Sequence, residues 1–71
     1  MSARRKLRAR RKEELLHAKN QLGELRDALT AAYFGFEQSA DPDTVDACIF
    51  EINALRARYN SAIRQIKSIG L

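Results

Sequence analysis

Seven of the first twelve residues are basic and none is acidic: Arg4, Arg5, Lys6, Arg8, Arg10, Arg11 and Lys12. Guanidinium groups pair bidentately with phosphate and carboxylate, and a run of cations releases counterions when it meets a polyanion. Anion binding is therefore the chemistry this arm can do. On a helix, Arg4, Arg8, Arg11 and Lys12 would share one side, with Arg5 joining Lys12 across two turns. No aromatic residue is interleaved, so stacking on single-stranded bases is not supported. No helix-turn-helix or other base-reading pattern follows. Contact with DNA or RNA would be nonspecific, and a solvated tail is the plain alternative. Leu7 is the one large apolar residue available for insertion, which makes an anionic membrane surface a weaker use of the same charge.

Other chemistry-bearing residues are sparse. Glu13, His17 and Gln21 fall at helical spacing and look like half a metal site, but a second ligand pair would have to come from a partner, and exposed decoration of the helix surface is the expected reading. Cys48 has no Lys, Arg or His within a helical turn to activate it, so a buried structural thiol is expected. Asp41, Asp43 and Asp46 could be read as a magnesium cluster, but helix capping accounts for all three. The sequence has no phosphate-cradling glycine loop, no nucleophile–base pair and no acid–base pair. No enzyme, metal or cofactor is expected.

The elements that position these groups are legible. The single proline lies in Ser39-Ala40-Asp41-Pro42-Asp43. Proline disfavours helix at the residue before it and suits the first helical position. Asp41 is then a natural N-cap, with Asp43 and Asp46 placed against the positive helix end. Helices are predicted over about 5–38 and about 42–68. Each carries a heptad pattern: Leu15, Ala18, Leu22, Leu25, Leu29, Ala32 and Phe36, then Val45, Cys48, Ile52, Leu55, Tyr59, Ala62, Ile66 and Ile69. A connection this short makes the helices antiparallel neighbours. The hinge sets the register: Phe36 near Val45, Leu29 near Ile52, Leu22 near Tyr59, Leu15 near Ile66. The second helix then ends opposite about residue 11, and the arm, helical or frayed, overhangs. Arg56 flanks the second seam and would pair with Glu24 or Asp27.

Apolar residues exceed what one seam can hide. Tyr33, Phe34, Ile49, Phe50 and Ile63 lie off it and form an expected association surface. Burying a large side chain contributes ~1.5–3 kcal/mol, and a chain of 71 residues has a small core. A second copy, giving a homodimeric four-helix bundle, would cover them, as would another helical protein.

From Phe36 to Lys67 the sequence reads Phe36, Asp41-Pro42-Asp43, Asp46, Ile49-Phe50-Glu51-Ile52, Arg58-Tyr59, Ile63 and Lys67. With the basic start, this is similar to the YaaL-like family of short uncharacterised proteins found mostly in Firmicute bacteria. Phe50 stands where that family usually has tyrosine, and Leu29 where a tryptophan is expected. The resemblance implies a small bacterial cytosolic helical protein and no particular activity.

Charge divides the chain the same way. The arm (1–12) carries +7, while the rest (13–71) holds six basic and nine acidic residues, for a net charge of +4. One cysteine and the absence of a signal-like apolar stretch point to the cytoplasm. No apolar run approaches the ~20 residues needed to span a membrane. The expectation is an all-α antiparallel hairpin acting as a non-catalytic protein–protein interaction or assembly module. The alternative is a nonspecific nucleic-acid-binding accessory protein acting through the arm.

Overall fold

The computed structural model describes residues 2–70. Met1 and Leu71, the outer bounds of the two expected segments, lie outside the described residues. The chain is an antiparallel pair of helices, α1 (Ala3–Gln38) and α2 (Pro42–Gly70). The molecule measures 60 × 15 × 14 Å, a rod two helices wide.

The hinge forms as its residue types dictate. At the end of α1 the Ser39 N–H donates to the Phe36 carbonyl at 3.1 Å. The Ser39 hydroxyl donates to the Gly35 carbonyl at 2.7 Å. Two otherwise orphaned helix-end carbonyls are thereby satisfied. Asp41 caps α2: its Oδ2 accepts from the Thr44 N–H at 3.0 Å and from the Thr44 hydroxyl at 3.1 Å. The Val45 N–H donates to the Asp41 carbonyl at 2.9 Å, the first bond of the helical ladder. Pro42 opens α2, where its missing N–H is no loss, and Asp43 lies in the first turn.

The heptad seam packs nearly as its spacing requires. Ala18 and Ala32 of α1 and Ile52, Leu55, Ala62 and Ile66 of α2 are buried. Leu15, Leu22, Leu25, Leu29, Val45, Cys48, Tyr59 and Ile69 are half-buried. Ala32, Ile52 and Leu55 cluster with Leu25, Ala28 and Leu29, as expected of a register that sets Leu29 against Ile52. Phe36 departs from the pattern at 37% exposure. It sits in the last turn of α1, where the opposing first turn of α2 covers only part of its ring.

Burial on α1 begins at Leu15, and every described residue before it is exposed. The basic arm is not a separate tail: it forms the first turns of α1. Cations at a helix start oppose the macrodipole. Ser2 provides an N-cap, its Oγ accepting from the Arg5 N–H at 3.3 Å, and the Lys6 N–H donates to the Ser2 carbonyl at 3.2 Å.

Candidate docking surface

The faces of the rod follow from helical phase, about 100° per residue. Seen from one end, antiparallel helices wind in opposite senses, so residues just past the seam in each helix lie on the same broad side. One side carries Tyr33 and Phe36 from α1 with Ile49, Arg56 and Ile63 from α2. The other carries Glu14 and Gln21 from α1 with Glu51, Arg58 and Gln65 from α2. The structure bears out the second grouping, because Gln21, Leu25, Arg58, Ser61, Ala62 and Gln65 line one shallow open pocket between the helices.

The expected association surface therefore divides. Tyr33, Ile49 and Ile63 share the first side, and Ile63 is half-buried there. Phe34 and Phe50 lie on the outer edges of α1 and α2, turned away from the seam and 64% and 78% exposed. From helix radii and spacing they are about 20 Å apart. Five off-seam residues on two helices do not share a face, since phase sends each around its own axis. Leu16 is a further exposed apolar side chain on the outer edge of α1.

Charge is segregated between the two sides. Arg5, Lys12, Lys19 and Arg26 recur every seven residues and lead along α1 to Tyr33. The dense run of charge ends at Lys12, and the seven-residue spacing of Lys19 and Arg26 is the signal in the residue order that extends it along the hairpin. Lys12 and Lys19 flank a shallow depression floored by Leu15 and Leu16. Arg56 stands on the opposite rim. Glu14, Glu24 and Glu51 fall toward the other broad side, Glu37 shares the helical phase of Lys19 at the hinge end of the basic side, and Glu13, Asp27, Asp43 and Asp46 fall toward the outer edges. This phase explains why Arg56 does not pair with Glu24 or Asp27 as expected. Among the described residues the one ion pair is Arg26 Nε to Asp27 Oδ1 at 4.0 Å, with both side chains exposed. Such a pair contributes about 0–1 kcal/mol and leaves Arg26 available.

The arm residues Arg4, Arg5, Lys6, Arg8, Arg10, Arg11 and Lys12 are all exposed and surround the helix rather than forming one face. Glu13, His17 and Gln21 are exposed on α1. Among the described residues no three His, Cys, Asp or Glu side chains come together as a metal site. Cys48 is half-buried rather than buried, its Sγ 3.7 Å from the Ser39 hydroxyl at the hinge. Among the described residues no helix is long and apolar enough to cross a membrane. Neither a protein-family model, a curated protein nor a solved structure matches this chain.

Proposed function

We propose that the chain is a non-catalytic docking module of the cytoplasm, whose partner is a second copy or another helical protein. The observation that carries this reading is an incomplete core. Among the described residues, three of the six buried ones are alanines, and no large side chain is fully buried. Two cylinders touch along a line, so a lone hairpin leaves its seam open on both sides. Beside that seam Tyr33 and Ile49 are exposed, and Leu16, Phe34 and Phe50 are exposed on the outer edges. Covering them would add ~1.5–3 kcal/mol for each large side chain fully buried.

Placing a photo-crosslinking residue at Tyr33, Phe34, Ile49 or Phe50 in the producing cell tests this. Discrete protein adducts are expected from at least one position. Protein adducts at none of the four, with arm crosslinks running to nucleic acid instead, would sink the docking reading.

A second reading is supported by the arm itself. Its cations are exposed, and none lies within 4.0 Å of a described carboxylate. In this reading the hairpin holds a helical basic prong that grips nucleic acid without reading sequence. Titration of duplex DNA and structured RNA with the full chain and with residues 13–71 decides it. Binding lost on truncation, with log K falling steeply against log salt, supports the grip: about −0.9 per phosphate on duplex DNA. Equal binding by both forms removes it.

A further inference from the structure

The two broad sides of the hairpin differ in more than charge. Beside the seam, the acidic-leaning side presents Ala18, Ala28, Ala32 and Ala62, flanked by Gln21, Glu51, Arg58 and Gln65. The basic side presents Leu22, Leu29, Val45 and Tyr59, flanked by Tyr33, Phe36, Ile49 and Ile63. All eight of these are half-buried or exposed. Two packed antiparallel helices leave a lengthwise groove on each side, which a third helix fills at an interaxial distance of about 8–10 Å. The other side has a floor of alanines and Leu25, whereas the basic side offers such an occupant the larger apolar side chains.

We propose that this groove takes an acidic amphipathic helix of a partner protein. Its apolar stripe packs on Leu22, Leu29, Tyr33, Ile49 and Ile63, and its flanking carboxylates meet Lys12, Lys19, Arg26 and Arg56. The inference rests on the docking reading and names the partner's chemistry. Charge complementarity selects this occupant. Lys12, Lys19 and Arg26 are spaced about 10.5 Å apart along one rim, which is two turns of any helix lying beside them. Carboxylates one heptad apart on the occupant would stay in step with them.

The same charges disfavour a second copy here. A two-fold interface sets this patch against itself, and its exposed cations Lys12, Lys19, Arg26 and Arg56 outnumber Glu37, the carboxylate that shares the phase of Lys19 at its hinge end, so two copies meet with like net charge. A phosphate backbone would satisfy the cations but leave Tyr33, Phe36 and Ile49 wet. A bilayer is flat and does not enter a groove. Helix-in-groove recognition uses apolar anchors at i, i+3, i+4 and i+7 together with rim charge, and both are present.

The test uses the full chain and two labelled synthetic amphipathic helices of equal length, alike in their leucine stripe. One carries glutamate at the flanking positions and its twin carries lysine. The glutamate peptide is expected to bind by fluorescence anisotropy at physiological salt, and the lysine twin is not. The combined change Lys19→Glu, Arg26→Glu and Arg56→Glu should weaken the glutamate peptide by about tenfold or more and confer binding on the twin. Arg58→Glu with Arg64→Glu, off this side, should change it by less than about twofold. All five positions are exposed, and circular dichroism checks that each variant stays helical. Equal binding of the two peptides, or none of either, overturns the proposal. So does a stable dimer in sedimentation equilibrium that Ile49→Asp dissociates. Duplex RNA or phosphatidylglycerol vesicles, bound through Lys19, Arg26 and Arg56 in place of the peptide, would overturn it too. The dimer result would leave the docking reading standing, whereas that reading falls only if crosslinking finds no protein at these faces.

Discussion

Asp41 shows how much of this fold rests on single side chains. Its carboxylate satisfies the Thr44 N–H and hydroxyl together, and the turn depends on α2 starting at that point. Asp41→Ala is expected to cost about 1 kcal/mol, which in a chain of this size lowers the thermal midpoint by roughly 4–8 °C. Asp41→Asn can still accept the N–H bond and should stay within a few tenths of a kcal/mol. A melting curve followed by circular dichroism separates the two. Phe50 and Leu55 make the opposite contrast. Leu55 is buried in the central cluster, so Leu55→Ala should destabilise by about 2–5 kcal/mol. The Phe50 ring points away from α1 and is mostly exposed, so Phe50→Ser should leave the hairpin's stability within about 0.5 kcal/mol. A large loss from Phe50→Ser in a dilute monomer would mean the ring packs on its own helix more than its exposure shows.

At the scale of the element, α1 is a 36-residue helix interrupted in propensity but not in structure. Gly23 and Gly35 lie within it, and a Cβ built at either position meets nothing within 4 Å. Each Gly→Ala change is therefore expected to stabilise by about 0.5–1 kcal/mol, and the two positions are far enough apart for the gains to add. Denaturant unfolding measures this. No gain would mean that the backbone at that position is not regular helix in solution, since the hairpin itself leaves the space for a Cβ open. The arm is the other lesson at this scale. Its composition favours fraying over helix, because cations at a helix start oppose the macrodipole. Continuity with a seam-anchored helix, and the Ser2 cap, decide for helix. Removing residues 2–12 should leave the midpoint of residues 13–71 within a few degrees, because burial begins at Leu15 and exposed substitutions shift stability by about 0.5 kcal/mol or less. A collapse of helicity on truncation would show that the arm supports the seam.

For the whole molecule the decisive quantity is which residues share a side. Tyr33 and Ile49 come from different helices, yet the antiparallel winding brings both onto the cationic side. Phe34 and Phe50, each next to one of them in sequence, face opposite edges. Interaction at the broad side and interaction at the edges therefore make different demands. Tyr33→Asp with Ile49→Asp should abolish partner binding through the groove and leave duplex DNA binding by the arm nearly unchanged. Deleting residues 2–11, which spares Lys12, should do the reverse, read by parallel anisotropy titrations with the acidic peptide and with DNA. If both activities fall together in either variant, the arm and the groove form one site.

Hinge, helices, register and seam were legible in the residue order, because a proline beside a capping aspartate and a strict seven-residue apolar repeat act locally and each admits one solution. Phe36 is the seam position that escaped, since its cover depends on where the partner helix begins. The docking side was only half legible. The heptad of Arg5, Lys12, Lys19 and Arg26 is written along one helix, but its meaning depends on a second helix supplying Ile49, Arg56 and Ile63 to the same side. Off the seam, periodicity states an angle about one axis and nothing about the neighbour. Only the packed pair turns two sets of angles into a surface, and that surface separates a cationic groove with large apolar side chains from one floored by alanines and Leu25 between polar rims.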